Sequence, residues 1–378
     1  MMRLSRIVAL VTSGMLCTAP VQAQGALSTL GFGYPGGQLS TRALTGGGAF
    51  GEFDAQSPIN PAALGVGIRS IAYVQYDPEF RQVTVSGVSA KTTTARFPVF
   101  GITGRFEDFT IGLSFSSFLD RSWTNQYADT VPVAGKPTPS RVSAQSTGGV
   151  SDVRLAAAWS LSPKLSVGAG LHLFPGENRV VLGRSFDDSL KIGSVVDAST
   201  ISYSGAGVSL GVVGSPFEHF NLAASLRIGT KMQLRRGDST IIGSGKVPMR
   251  YGLGVAYDGI AGAALMVRYS ADKWTDLKGL GSSTLNVHDA TELSAGAEFS
   301  GPKLAGYPLA LRAGIRSRQL PFSPAADAVN EKAVTAGAGF QAAQGRFAVD
   351  IGAAYATRTA AGVRERGTTV SLGVSIRP

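Results

Sequence analysis

The chain has 378 residues, 44% of them hydrophobic, with 49 glycines and a formal net charge of +10. Its single cysteine is Cys17, which leaves the rest of the chain without disulfides or thiolate metal sites. No stretch reaches the roughly 20 apolar residues that a membrane-spanning helix needs. Any part of the protein that crosses a membrane must therefore do so with strands.

The N-terminus has the three parts of a secretory signal peptide. Arg3 and Arg6 precede an apolar run from Ile7 to Cys17, and Val21-Gln22-Ala23 is a small-x-small cleavage pattern. The apolar run, about 11 residues, is too short to cross a bilayer as a helix. We expect residues 1–23 to be removed after Ala23. Lipid attachment at Cys17 is disfavoured because the bulky Leu16 precedes it.

Residues 67–378 alternate between apolar and small or polar residues. The stretch from Phe109 to Ser116 reads FTIGLSFS, and the stretch from Val370 to Ile376 reads VSLGVSI. A period of two indicates strands with one apolar face. A soluble β-sandwich alternates in the same way, because one face of each sheet meets its core. The long series of hairpins favours a different all-β fold over the sandwich, namely a transmembrane antiparallel β-barrel.

Short and long connections alternate along this region. Short turns are predicted at 107–108, 162–164, 215–219, 258–260, 301–306 and 343–345, and longer outer loops near 122–148, 183–198, 235–246, 275–288, 319–331 and 359–365. They define about 14 strands, the first of which begins near Ser70. An even number of strands places both chain ends on the periplasmic side. The strand-like stretch Arg81 to Ser89 is interpreted as part of the first outer hairpin.

Residues 24–66 do not alternate. They are rich in glycine and alanine, as in the run from Arg42 to Ala49, and continue through Asp54 to Asn60-Pro61-Ala62-Ala63-Leu64. A segment of this length before the first strand either hangs in the periplasm or folds into the lumen. Its small residues favour a tightly fitting N-terminal plug over residues 24–66.

This plan resembles the FadL-type transporters of hydrophobic compounds in the outer membrane of Gram-negative bacteria. It is also similar to the PorV/PorQ group of fourteen-stranded barrels found beside the type IX secretion system. The residue-level match covers about 42–64, where a Gly-Ala stretch and an acidic residue precede Asn60, Pro61 and Ala62. The chain ends in Ile376-Arg377-Pro378, whereas many such barrels end in an aromatic residue that the barrel-assembly machinery recognises.

The FadL-type resemblance implies a role for the motif. Asn60 to Leu64 would belong to a hatch that blocks the lumen, and a greasy ligand would pass sideways through a wall opening beside that hatch. A second interpretation is structural, in which Asn60 caps a turn before Pro61 and helps to seat the chain end.

Ten ionisable residues fall on the predicted inward face of the strands. They are Arg154, His172, Arg227, Arg250, Arg268, Glu292, Glu298, Arg312, Arg316 and Asp350. Because an isolated buried charge is costly, we expect them to pair with each other, with the plug or with water. They form either an ion-pair lattice that stiffens the barrel or an electropositive path for anionic headgroups such as fatty-acid carboxylates.

Catalytic, metal and cofactor sites are not predicted. His172, His219 and His288 fall on a strand, a short turn and an outer loop, so that neither a metal cluster nor a catalytic triad is expected. Gly46-Gly47-Gly48 lacks the following Lys-Ser/Thr of a phosphate-binding loop. The arginines are spaced singly along strands, which disfavours nucleic-acid binding.

Two functions remain open from the sequence. The first is uptake of hydrophobic small molecules such as fatty acids through a plugged barrel. The second is binding of a secretion-system protein through the outer loop from Arg121 to Thr147, which contains Trp123 and Tyr127. A plain diffusion porin is disfavoured by the plug-like segment. In each case outer-membrane lipid and the barrel-assembly machinery are expected partners.

Overall fold

The computed structural model describes residues 27, 33–36, 38–66, 70–85, 88–187, 191–280, 286–304, 306–323 and 326–377. Within these residues, fourteen antiparallel strands form a closed barrel. Each strand pairs with its neighbours in sequence, and the last pairs with the first, so that Ala72 lies opposite Ile376. The predicted signal peptide, residues 1–23, lies outside the described residues.

Eight of the fourteen described strands are continuous and six consist of two segments. Their bounds are β1 Ile71–Val85; β2 Val88–Arg96 and Val99–Phe106; β3 Phe109–Asp120 and Trp123–Val133; β4 Lys136–Ser162; β5 Leu165–Leu173 and Gly176–Phe186; β6 Val195–Ser204 and Ala206–Phe217; β7 Phe220–Gly229 and Lys231–Arg236; β8 Ile241–Lys246 and Arg250–Ile260; β9 Ala263–Asp272; β10 Ala290–Leu304; β11 Tyr307–Leu320; β12 Val329–Ala342; β13 Phe347–Ala360; and β14 Val363–Ile376.

The period-two sequence gives the wall an apolar outer face and a polar inner face. In β4, Leu155 and Trp159 are exposed, whereas Arg154, directly before Leu155 in the chain, is buried. In β3, Leu113 is exposed and Ser114 is buried. This arrangement is opposite to that of a soluble protein, and it is the one expected for a barrel whose outside meets lipid.

The short turns lie close to their predicted positions. Strand ends meet at Glu107–Asp108 and at Ala343–Gly345, as predicted. The turn predicted at 258–260 is wrong by a short distance, because β8 continues to Ile260 and the turn falls at Ala261–Gly262. A shift in the pairing of β8 with β9 between Tyr257 and Ile260 accommodates the extra residues.

Several predicted outer loops are wrong, because strands continue through them. At the predicted loop 122–148, residues 123–146 form a β-hairpin, in which β3 extends to Val133 and β4 starts at Lys136. The predicted loop at 359–365 is a tight turn at Ala361–Gly362. Polar residues indicate contact with water, and strand pairing beyond the apolar belt is compatible with that contact. The interpretation of Arg81 to Ser89 as part of the first hairpin agrees with the pairing of β1 with β2.

Helices are short in the described part of the chain. Helix α1 spans Thr41–Thr45, and 3-10 helices span Pro61–Gly65, Trp274–Leu280 and Ala343–Gly345. Among the described residues, no helix is both long enough and apolar enough to span a membrane. A two-stranded sheet joins Asn286–Val287 to Phe322–Ser323 beside the 3-10 helix that starts at Trp274.

Candidate functional site

The N-terminal segment, defined here as residues 33–36 and 38–66, is bonded to strands all around the ring. Its contacts with inward-facing groups run from Gln38 to Ser116 of β3, from Asn60 to Val212 of β6, from Glu52 to Arg268 of β9, from Arg42 to Glu298 of β10 and from Thr41 to Ser371 of β14. Because these strands lie on different sides of the barrel, the segment occupies space that the wall encloses.

Glycines let this segment approach the wall closely. A Cβ atom added at Gly314 of β11 would lie 2.3 Å from the carbonyl carbon of Gly46. Helix α1 just before this contact is capped by Ser40, whose Oγ accepts a 3.1 Å hydrogen bond from the Ala43 amide. The small residues that suggested a plug are therefore the ones that touch the barrel.

The Asn60-Pro61-Ala62 motif caps a 3-10 turn against the wall. The Asn60 Oδ1 accepts from the Ala62 amide at 3.0 Å, and its Nδ2 donates to the Glu52 carbonyl at 3.0 Å and to the Val212 carbonyl at 3.3 Å. The Ala62 carbonyl accepts from Ser166 of β5 at 2.8 Å. All three motif residues are buried. This geometry matches the interpretation in which Asn60 caps a turn. The hatch interpretation assigns a further function to the same turn.

The ten inward candidates from the sequence are all buried or half-buried on the lumen side. One group lies beside helix α1. Glu298 accepts from Arg42 at 2.9 Å and from Arg312 at 2.6 Å, and Arg312 also reaches Asp350 at 2.5 Å. Burial by itself would lower the pKa of Arg42, but the carboxylates of Glu298, Asp54 and Asp350 together outweigh it and raise that pKa. This group ties the segment to β10, β11 and β13.

A second group joins the segment to β9 and β10. Arg268, which is 1% exposed, lies 3.2 Å from Glu52 of the segment and 2.6 Å from Glu292. A third group centres on Glu331, which accepts from Arg316 at 3.2 Å and from Arg318 at 2.6 Å. Breaking such pairs singly would leave an uncompensated buried charge.

Tyr34 stands at the centre of a charged cluster that sequence reasoning missed. Its ring is faced by the guanidinium groups of Arg81, Arg96, Arg318 and Arg358 at 5.6, 5.2, 5.2 and 4.8 Å from the ring centre. Arg358 in turn binds three carboxylates, those of Glu79, Glu331 and Glu365. The alternation of β1, where Glu79 and Arg81 follow the inward Tyr73 and Gln75, was the signal that could have placed this strand's charges in the lumen.

The structure also assembles a Ser-His-Asp arrangement, contrary to the sequence prediction that a triad would not form. His172 of β5 lies 2.7 Å from Asp152 of β4 through Nδ1 and 2.8 Å from Ser209 of β6 through Nε2. Period two places all three on the inner face of neighbouring strands. Ser209 is 2% exposed, and its Oγ fills the space where a side chain at Gly170 would lie. The hydroxyl is thus packed against the wall as part of a structural hydrogen-bond chain.

The wall is unpaired along one stretch. The ladder between β2 and β3 runs from Phe106 opposite Phe109 to Val99 opposite Ser116, followed by one hydrogen bond from the Ser117 amide to the Pro98 carbonyl. Beyond it, in the described residues, 88–96 pair with β1, and 123–133 pair with β4. We call this stretch, between residues 88–96 and 117–133, the β2–β3 seam.

The N-terminal segment borders the β2–β3 seam. Tyr34 and Pro35 pair with Asp120 and Leu119, and the Gly36 amide donates to the Phe118 carbonyl at 2.9 Å. Tyr34 and Pro35 therefore pair with β3 at the point where its pairing with β2 has ended. The lumen and the seam therefore meet at Tyr34.

A cavity of about 140 Å³ lies in the lumen beside the N-terminal segment. Tyr34, Gln38 and Leu39 line it on the segment side. Its lining also includes, among the described residues, seven arginines and four acidic residues. The wall thus provides the cavity with an excess of positive charge. Among the described residues, no group of three or more His, Cys, Asp or Glu side chains is arranged to hold a metal ion.

Comparison with known proteins identifies the fold. No family model matches the chain, and no curated protein matches it. A FadL homologue of Pseudomonas aeruginosa superposes with a TM-score of 0.62 at 13% identity, covering 92% of this chain and 99% of that one. The chain has the FadL-type barrel fold.

Two further structures share this FadL-type fold. The toluene transporter TbuX of Ralstonia pickettii gives a TM-score of 0.59 at 14% identity, covering 90% of this chain and 98% of that one. The toluene transporter TodX of Pseudomonas putida gives 0.55 at 14% identity, covering 89% and 97%. The prediction of a fourteen-stranded barrel resembling the FadL type is confirmed.

Proposed function

We propose that the protein is an outer-membrane channel that admits hydrophobic small molecules, with fatty acids as one class, and releases them sideways through its wall. The observation that carries this proposal is the β2–β3 seam beside the lumenal N-terminal segment. A greasy molecule gains free energy by leaving water for lipid at the first opportunity. A side opening in the wall offers it that route.

In this proposal the N-terminal segment is a hatch. Its bonds to β3, β6, β9, β10 and β14 support a role in obstructing the straight path through the lumen. Tyr34 and Pro35 belong to the same segment and border the seam. The part of the chain that obstructs the axial path therefore also stands at the entrance to the lateral one.

The outward surface supports a site in the outer membrane. Large apolar side chains such as Leu171, Leu253 and Ile315 are exposed on different strands of the ring. Such a belt is stable in lipid and would be an aggregation hazard in water. TbuX and TodX, which share the fold, are toluene transporters, and this supports a hydrophobic ligand and a channel in place of an enzyme.

An uptake assay tests the proposal. The full chain, residues 1–378, is expressed in a host that lacks its own barrels for fatty acids and hydrocarbons, and uptake of radiolabelled oleate and toluene is timed. We expect faster uptake than in host cells with an empty vector. A variant without residues 24–64 should change the rate, and heat-modifiable migration on gels reports whether its barrel has formed. Uptake equal to that of the empty vector for both compounds would contradict the proposal.

A second candidate function is that of a PorV/PorQ-like barrel that binds a protein in secretion or surface attachment. The observation that favours it is the outer hairpin of residues 123–147. Its two strands are paired along their length, and alternate residues of each strand are exposed. Shortening this hairpin to a two-residue turn should abolish capture of a secretion-system protein and leave uptake of oleate unchanged. Recovery of assembly machinery alone would contradict this function.

A further inference from the structure

We infer that the cavity beside the N-terminal segment binds a small carboxylate that carries a single ring, held between Arg227 and Arg250. The inference rests on the proposed function and narrows its ligand. It starts from two arginines that face each other directly across β7 and β8. Like charges placed opposite each other in a sheet destabilise it unless an anion lies between them.

Among the described residues, no carboxylate forms a hydrogen bond with either arginine of this pair. Asp272 lies 3.6 Å from Arg227 and 3.9 Å from Arg250, and Asp152 lies 3.6 Å from Arg227. These separations exceed those of charge-assisted hydrogen bonds. Asp152 is in addition bonded to His172 and to Gln38. The pair is therefore only partly neutralised.

The hydrogen bonds described for these two guanidinium groups end on one neutral atom. The Gln38 Oε1 accepts from Arg227 at 3.3 Å and from Arg250 at 3.1 Å. The Nε atoms of both arginines are buried and have no hydrogen-bond partner in the described structure. A buried N–H without a partner costs about 1–3 kcal/mol, and more when it is charged. A carboxylate is the planar acceptor that guanidinium groups bind best.

The lining of the cavity continues from these arginines to two aromatic side chains, which are largely buried. Phe118 and Trp274 line it and stack on each other with ring centres 5.3 Å apart. The Arg227 guanidinium lies over the Phe118 ring at 5.4 Å. Leu39 and Leu320 extend the apolar part of the lining. A ligand with an apolar body and an anionic end matches the apolar and the basic parts of this lining.

The size of the cavity suits a ligand body of one ring. Its volume is about 140 Å³. An apolar cavity of about 150 Å³ in another protein holds one benzene molecule. A benzoate-like molecule can therefore place its ring in this space and its carboxylate at the arginines. A long acyl chain with several times as many carbon atoms would extend out of this space through its open side.

Calorimetric titration of the detergent-extracted full chain tests the inference. The probes are benzoate and toluene, which is its uncharged counterpart. We expect benzoate to bind at least about tenfold more tightly than toluene, because the charge-assisted bonds to the arginines are worth roughly 1.5–3 kcal/mol in general. Arg227→Gln and Arg250→Gln should each weaken benzoate binding by about tenfold or more. Toluene binding should stay within about twofold, since the ring surface is intact.

Arg312→Gln is the matched control. Arg312 is also an inward, paired arginine, but it binds Glu298 and Asp350 and does not line the cavity. It should leave benzoate affinity unchanged, and Arg250→Lys should retain part of the affinity. Absence of benzoate binding to the unaltered chain, equal affinity for benzoate and toluene, or equal loss in Arg312→Gln would each overturn the inference.

These outcomes are separable from those of the proposed function. If uptake of oleate or toluene is present but benzoate does not bind, only the ligand class proposed for the cavity fails. If benzoate binds through Arg227 and Arg250 but neither oleate nor toluene uptake exceeds background, the hydrophobic uptake route fails and the site stands.

Discussion

Arg96 of β2 and Asp120 of β3 form an ion pair of 2.6 Å, from Nε to Oδ2, across the seam where the two strands do not pair. Both side chains are 12% exposed. Arg96 also contacts Glu79 at 2.7 Å and lies over the Tyr34 ring. The ion pair thus connects both edges of the proposed exit to the cluster that surrounds Tyr34.

Neutralising Asp120 should open the seam more often. Asp120→Asn removes one charge of the bridge, and Arg96 keeps its other partner, Glu79. A charge-assisted pair of this kind contributes about 1.5–3 kcal/mol. We expect the initial rate of oleate uptake to rise severalfold. Asp129→Asn is the control, because it breaks a 2.8 Å ion pair with Arg184 of β5 and removes no bond between β3 and β2. An equal rise in both variants would count against the role of the seam.

Crowding the contact at Gly314 should loosen the N-terminal segment. Gly314→Ala places a Cβ atom 2.3 Å from the carbonyl carbon of Gly46, and overpacking of this kind costs about 1–3 kcal/mol. Arg42 is the only Lys or Arg between residues 24 and 66, so tryptic cleavage there reports directly on the segment. Cleavage should be faster in Gly314→Ala than in the unaltered protein.

Gly237→Ala is the control for this experiment, since nothing lies within 4 Å of a Cβ atom at that position. It should leave the cleavage rate at Arg42 unchanged. If Gly314→Ala is cleaved at Arg42 no faster than Gly237→Ala, the close packing of the segment against β11 is wrong.

Removing the Asn60 side chain should destabilise the turn that it caps. Asn60→Ala loses the cap to Ala62 and the bonds to the Glu52 and Val212 carbonyls. Loss of such a cap costs about 0.5–2 kcal/mol. The expected result is a lower midpoint for loss of protection at Arg42 in a urea titration. Asn330→Ala, at an exposed position, should not move that midpoint. An unchanged midpoint in Asn60→Ala would assign the motif no role in seating the segment.

The Ser209-His172-Asp152 arrangement should be chemically silent. A fluorophosphonate reacts with a serine nucleophile only if it can reach the hydroxyl, and Ser209 is 2% exposed. We expect no labelling of the folded protein, and a lower thermal stability in His172→Asn because Asp152 loses its 2.7 Å partner. Labelling that disappears in Ser209→Ala would show a reactive serine and contradict the structural role.

The barrel was predictable from the sequence because alternation is a local property. The apolar residues Phe109, Ile111 and Leu113 specify which face of β3 meets lipid without reference to any other strand. The same logic placed Arg154 and Arg268 on the inner face. Outer hairpins were predicted as loops because polar residues, such as those near Arg358, indicate contact with water. They carry no information about whether the backbone pairs with a neighbouring strand.

The partners of the inward residues could not be predicted. The Tyr34 cluster joins positions that are hundreds of residues apart, as in the bond from Arg358 to Tyr34. Such contacts depend on the register of every strand between them and on the path of the N-terminal segment. The seam was missed for the same reason, since an unpaired edge leaves no mark on the alternation of Val88 to Arg96.

Closing the seam covalently is the most direct test of lateral release. Arg96→Cys and Asp120→Cys are combined and joined by a short bifunctional thiol reagent with a reducible link. Lys332→Cys with Thr357→Cys is the control, because these residues lie opposite each other in the continuous ladder of β12 and β13. We expect oleate uptake to fall to the host background when the seam pair is linked, to return on reduction, and to be unaffected by the control link. Uptake at the unlinked rate through a linked seam would contradict lateral release.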